Sequence, residues 1–267
     1  MRRLPIYCFV LLVLLSLAGF IYASSTQAYQ DYLYQFDVYR QKYSDFQVAK
    51  NSYDKFKTLE SQTTALEKTK IMLAQRDQVL RAYLLLLNEE LGENQGLNPT
   101  TKQTYQTLLN NEVKFLDSHS QLIPAVGSIN DAQTVSTQLE SHYIILQTSM
   151  RQIIIGLSLG NLAILSAKYD TLLQNAKAII LTQGSIFPQD KLNTINRWVL
   201  QITDKRSLYQ QKINQISSAN TQLQINDLQE LTRRFDSMTS QVGEAKQYLL
   251  EGTSYLGELA NALRYQD

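Results

Sequence analysis

Along most of this chain apolar side chains return at alternating steps of three and four residues, and the strict alternation of a strand is absent. Tyr32, Phe36, Tyr39, Tyr43, Phe46 and Tyr53 keep this spacing with one position skipped, at Lys50. A second seam, one residue out of step with the first, runs Phe56, Leu59, Thr63, Leu66, Lys70, Leu73, Asp77, Leu80, Leu84, Leu87 and Leu91. A third begins at Leu228 and continues through Leu231, Phe235, Met238, Val242, Ala245, Leu249, Gly252, Leu256 and Leu259 to Leu263 without a missed step. Leu192, Ile195, Val199, Ile202, Tyr209, Ile213, Ile216 and Leu223 form a fourth. The five-residue step from Leu223 to Leu228 predicts a kink or a change of packing partner between about Ser217 and Asn226. Sustained heptad spacing of this kind means long helices lying side by side.

Glycine and proline punctuate the pattern at Gly92–Pro99, Pro124–Ser128 and Gly184–Pro188, which read as three turns. Each is followed by a helix start: Asn98 before Pro99, Asn130 and Asp131 after Gly127, and Pro188 before Gln189 and Asp190. Four helical segments result, at about 27–91, 99–122, 130–183 and 188–266. Unbroken, they would measure about 98, 36, 81 and 118 Å, and laid antiparallel they would return the C-terminus to within about 25 Å of the start. If the first folds back near 53–56 and the last near 217–226, the same chain makes a shorter bundle with more helices per layer. The sequence leaves both arrangements open.

Before the seams lies an uncharged run, Leu4 to Ala23, preceded by Arg2 and Arg3 and followed by no charge until Asp31. Twenty residues at 1.5 Å span about 30 Å, the hydrocarbon thickness of a bilayer. The two arginines place Met1 in the cytoplasm and the remainder outside. The length favours an uncleaved anchor over a cleaved secretory signal, whose apolar core is shorter, although Ala23-Ser24-Ser25 offers small residues for cleavage. Residues 1–28 are therefore expected to be a single-pass membrane anchor with 29–267 extracytoplasmic, or secreted if the anchor is cut. The fold class expected is all-α: an elongated antiparallel helical bundle or coiled coil on a single N-terminal transmembrane helix.

Without Arg2 and Arg3, 23 basic residues face 24 acidic ones, and the two signs are interspersed along the same segments. No basic stripe exists to hold nucleic acid, which is excluded as a partner. The only cysteine, Cys8, lies in the apolar run, so the exported part has no disulfide, thiolate metal site or cysteine nucleophile. His119 and His142 fall on different segments without metal-ligand spacing, and Asp117-Ser118-His119-Ser120 has no nucleophile elbow and reads as a solvated helix end. Glu89, Glu90 and Glu93 read as a solvated acidic face. No cofactor or metal is expected, and no enzymatic activity.

Two features are candidates for packing or interaction. Tyr32, Phe36, Tyr39, Tyr43 and Phe46 belong to the densest aromatic cluster; tyrosine suits a stacking surface, but the heptad spacing points first to helix packing. Gly156, Gly160 and Ala163 mark a narrow face on the most apolar exported stretch, 144–167, where a second helix would approach closely. That stretch reads as the central helix of a bundle, because the uncharged run between Arg151 and Lys168 is shorter than a membrane span. Trp198 adjoins the fourth seam at Val199 and is expected to cap the core.

The expected function is a non-catalytic scaffold or protein-interaction module of the cell envelope, binding other helical proteins or itself. A ligand-binding, sensor-like helical ectodomain working with a membrane partner is the alternative. A membrane-active protein using 144–167 is a third reading. The architecture is generic and selects no family.

Overall fold

Side-chain caps set most of the helix starts. Ser24, Thr58, Asn98 and Ser128 each accept a hydrogen bond from the backbone N–H three residues on, and Asp227 does the same for Glu230. In the computed structural model, which describes residues 24–264, these caps open five of six α-helices. The helices are α1 (Ser25–Phe56), α2 (Leu59–Glu93), α3 (Pro99–Ser120), α4 (Ile129–Gln183), α5 (Gln189–Thr221) and α6 (Leu228–Arg264). Single turns of 3₁₀ helix, Ile123–Ala125 and Gly184–Ile186, flank α4. Among the described residues 91% are helical and there is no strand. The apolar run Leu4–Ala23, with the anchor expected there, lies outside these residues.

The chain takes the folded-back course. The segment expected at 27–91 is two helices, because Lys57 adopts a left-handed conformation (φ 51°) and returns α2 along α1. The segment expected at 188–266 is also two, ending at Thr221 and restarting at Leu228, so the five-residue step between seams marks a reversal of the chain rather than a kink. Both are antiparallel hairpins: Lys68 meets Asp45 and Gln75 meets Gln35 in the first, while Lys212 meets Glu244 and Trp198 meets Tyr255 in the second.

The third and fourth seams are the buried faces of α6 and α5, with Ile195, Ile202, Ile216, Leu231, Ala245 and Leu259 fully enclosed. The first seam is corrected. The face that α1 presents to α2 runs Ala28, Tyr32, Gln35, Tyr39, Lys42, Phe46, Ala49 and Tyr53, while Phe36 and Tyr43 are 41% and 44% exposed. Ala49 fills the step that the aromatic seam skipped at Lys50, and the small side chains of Ala28 and Ala49 let the helices close. Gln75 Nε2 donates to Gln35 Oε1 (2.7 Å) between them.

Helix α2 carries two buried stripes. Ala65, Met72, Gln75, Val79 and Leu86 lie on one; Leu73, Asp77, Leu84, Leu87 and Leu91 lie on the other, which packs on α3 and α4. The two charged members of the expected seam hold the α3–α4 connection. Lys70 Nζ donates to the carbonyls of Pro124 and Val126 (3.0 and 2.9 Å), and Asp77 pairs with His119.

Helix α4 is the spine, about 80 Å long. Its first half packs on α2 and α3 and its second half on α5 and α6, so three apolar clusters share one helix. Of the described helices it is the one long and apolar enough to cross a membrane, and in the bundle Leu146, Ile153, Ile155 and Leu162 are buried against four other helices.

The two halves meet at the middle of α4. Asn94, buried at the end of α2, donates to the carbonyl of Leu157 and to Asn161 Oδ1, and its own Oδ1 accepts from the N–H groups of Gly96 and Leu97. From the other half, Asn220 donates to Gln152 O and Tyr105 Oη, and Gln152 returns a bond to Asn220 O. Gly156 and Gly160 serve this joint. A Cβ on Gly156 would strike the Tyr105 ring, and one on Gly160 would strike Asn94 and Leu97. The narrow face therefore admits a tyrosine and the α2–α3 turn rather than a further helix, and Ala163 beyond it is half-buried.

Ser25 closes onto the same level. Its N–H and Oγ donate to the Glu93 carboxylate (2.9 and 2.7 Å), which holds the Glu93 carboxyl below its usual pKa. Glu93, on the exposed acidic face, thus also caps the start of α1. The start of α1 stands beside the middle of α4, whereas α6 runs parallel to the second half of α4 and carries the C-terminal end away. The end of α6 at Arg264 does not return toward the start of α1.

Candidate functional site

The displaced aromatic seam of α1 leaves one edge of the hairpin open beside α4. Tyr32, Phe36 and Tyr39 from α1 and Arg76, Val79, Leu80 and Tyr83 from α2 form one wall of a groove of about 760 Å³. Leu139, Glu140, Tyr143, Gln147, Met150, Arg151 and Ile154 of α4 form the other, and Phe235 of α6 closes its end. Helical spacing explains the α4 contribution: residues 139, 143, 147, 150 and 154 lie on one face at steps of four and three. Tyr32 packs against Tyr83 with ring centroids 5.1 Å apart. Burial raises the pKa of the Tyr39 and Tyr83 hydroxyls, so both remain neutral donors at physiological pH.

Two guanidiniums face this apolar space. Arg76 is half-buried, and among the described residues its one hydrogen bond is from Nη1 to Ser136 Oγ (3.2 Å); Nε and Nη2 are enclosed without a partner. Burial pulls its pKa below the ordinary arginine value, against the opposing pull of Asp77, Tyr39 and Glu140. The group nonetheless stays charged. Arg151 donates to Thr232 Oγ1 (2.9 Å) and lies over the Phe235 ring, 5.2 Å from its centroid. Neither forms an ion pair among the described residues, unlike Arg81 with Asp117 and Arg206 with Asp170. Glu140 is the one carboxylate in the lining, and it accepts from Ser136 Oγ (2.8 Å).

Behind Arg76 both histidines of the chain are paired with acids. His119 Nδ1 lies 2.7 Å from Asp77 Oδ2 and Nε2 lies 2.8 Å from Val135 O, with both side chains 1% exposed. This corrects the reading of 117–120 as a solvated helix end. Two acceptors on two ring nitrogens require an imidazolium, and the hydrogen bond that His119 donates to Asp77 leads the causes that raise the His119 pKa. His142 Nε2 lies 2.7 Å from Glu112 Oε2, whose other oxygen accepts from Ser149, and its ring stacks on Phe115 at 3.6 Å. Neither pair lines the aromatic groove.

Of the expected interaction residues, Tyr32, Phe36 and Tyr39 are brought together in the groove, whereas Tyr43 and Phe46, their rings tilted against each other with centroids 6.0 Å apart, lie further along α1, outside its lining. Gly156, Gly160 and Ala163 belong to the joint and are likewise not part of it. The sequence reading missed Arg76, Tyr83, Tyr143, Arg151 and Phe235. Arg151 carried a signal, as the one charge interrupting the apolar residues 144–167. Arg76 gave none, since a lone arginine beside a seam is ordinarily solvated. Among the described residues no group of three or more His, Cys, Asp or Glu is placed to hold a metal ion. No protein-family model, curated protein or solved structure matches this chain.

Proposed function

We propose that this protein is a non-catalytic, ligand-binding helical bundle, tethered by residues 4–23 to the outer face of a cell membrane. The observation that carries this reading is the groove: an aromatic-walled space of about 760 Å³ holding two guanidiniums without carboxylate partners. Clefts of about 300–1,000 Å³ lined by apolar rings with a few placed polar groups suit small ligands held between helices. The tether joins the bundle at its waist, because Ser25 lies beside Glu93 and the middle of α4. A response to the ligand would pass through a membrane partner. A scaffold role through helix faces is the second reading, favoured by Leu172, Leu181 and Ile186, which are 53%, 87% and 61% exposed around the α4–α5 turn.

The tether predicts that the full chain stays with membranes after a carbonate wash, with its C-terminus open to external protease. A soluble product beginning at Ser24 or Thr26 would overturn it. For the groove, the full chain purified from its own envelope should release a bound small molecule on denaturation, detectable by mass spectrometry. Gln147→Trp, which fills the groove from its half-buried α4 wall, should release none while keeping the wild-type helical signal. Equal recovery from both proteins would rule the groove out as the binding site.

A further inference from the structure

We infer that the groove binds an apolar monocarboxylate, its carboxylate held by Arg76 and Arg151 and its hydrocarbon or aromatic body lying among the rings of α1, α2 and α4. The inference rests on the reading of the groove as a binding site and adds the chemistry of the ligand. Its walls supply the body. Tyr32, Tyr83, Met150 and Ile154 present faces that favour an apolar or aromatic group, and the neutral hydrogen-bonding groups of the lining are four tyrosine hydroxyls and the Gln147 amide.

The charges select the head. Two guanidiniums against Glu140 leave one positive charge unmatched in the lining, which suits a monoanion and disfavours a dianionic phosphate. The unpartnered Nε and Nη2 of Arg76 form the edge of a guanidinium that takes a carboxylate through two parallel bonds. They are closed off until the side chain turns, so the anion is admitted by rotation of Arg76 toward the groove that it lines. Asp77 Oδ2 already accepts from His119 and Ser120, and its Oδ1, although unpartnered, makes no bond to Arg76 among the described residues. A buried guanidinium left with one neutral partner is otherwise costly, and a ligand carboxylate removes that cost.

The test uses the full chain in lipid nanodiscs, with empty discs as the partition background, titrated calorimetrically with 2-naphthylacetate, octanoate and the neutral 2-naphthaleneethanol. Saturable binding of the two carboxylates is expected, about tenfold or more tighter than the neutral analogue, and weakened about tenfold or more by Arg76→Met. Arg151→Met, at the groove's other wall, is expected to cause a comparable loss and gives the answer if Arg76→Met does not fold. If the neutral analogue binds as well as the carboxylates, the groove is a binding site and the carboxylate assignment is wrong. If nothing binds above the empty discs, both readings fall. Unchanged carboxylate affinity in the folded arginine variants would also overturn the assignment.

Discussion

Replacing Gly96 with valine is expected to cost about 3 kcal/mol or more of stability, because the new side chain has no space that a rotamer change would open. A Cβ at Gly96 falls directly on the carbonyl oxygen of Gly160, so backbone meets backbone and the whole α2–α3 turn must lift from α4. The requirement is space and not conformation, since no glycine among the described residues has a positive φ. Lifting the turn would also pull Asn94 from Leu157 and Asn161, leaving buried amide groups unpaired. Gly243 and Gly257 are the controls. A Cβ at either meets nothing, and alanine there should stabilise α6 by up to about 1 kcal/mol through helix propensity alone. Denaturant unfolding followed by far-UV circular dichroism reads both effects. A Gly96→Val protein as stable as wild type would refute the docking of the turn on the spine.

Replacing His119 with leucine is expected to cost about 3–5 kcal/mol, the ordinary penalty for leaving one member of a buried ion pair without its partner. Asp77 would keep a bond from Ser120 Oγ (3.1 Å) while losing its cation, with Oδ1 already unpartnered. Replacing Asp77 with leucine as well should recover much of the loss, because two apolar side chains then occupy a site enclosed by α2, α3 and α4. The pair also fixes a pH dependence. His119 titrates higher folded than unfolded, so its contribution is fully present below the unfolded value of about 6.5 and is lost as pH rises through the raised folded value. The wild-type melting temperature should therefore fall from pH 6 toward pH 9 by more than that of the double variant. Parallel profiles for the two proteins would show that His119 is not a buried cation.

How far the sequence reached follows from what periodicity measures. Heptad spacing records which face of a helix is apolar, and that was enough for an all-helical chain, for the turns at 92–99, 124–128 and 184–188, and for the buried faces of α5 and α6. It failed on α1. Aromatic residues dominate any count of apolar positions, yet two helices close most tightly over small side chains, and Ala28 and Ala49 took the contact while Phe36 and Tyr43 were left at the edge. The skipped step at Lys50 was the trace of that shift. Lys70 and Asp77, polar residues on an apolar seam, were likewise traces of partners that the sequence did not name.

By itself, then, the sequence determined that the chain is helical, where three of its turns fall, the apolar stretch at the centre of α4 and the absence of any thiol beyond residue 8. Tertiary structure alone decided that the first and last segments fold back on themselves, that Gly156 and Gly160 receive a tyrosine and a turn, and that both histidines are paired with acids. It alone placed Arg76 and Arg151 in one aromatic groove. The reason is physical: helix formation depends on neighbours within about one turn along the chain, whereas a groove is made by residues from four helices whose proximity no local period encodes.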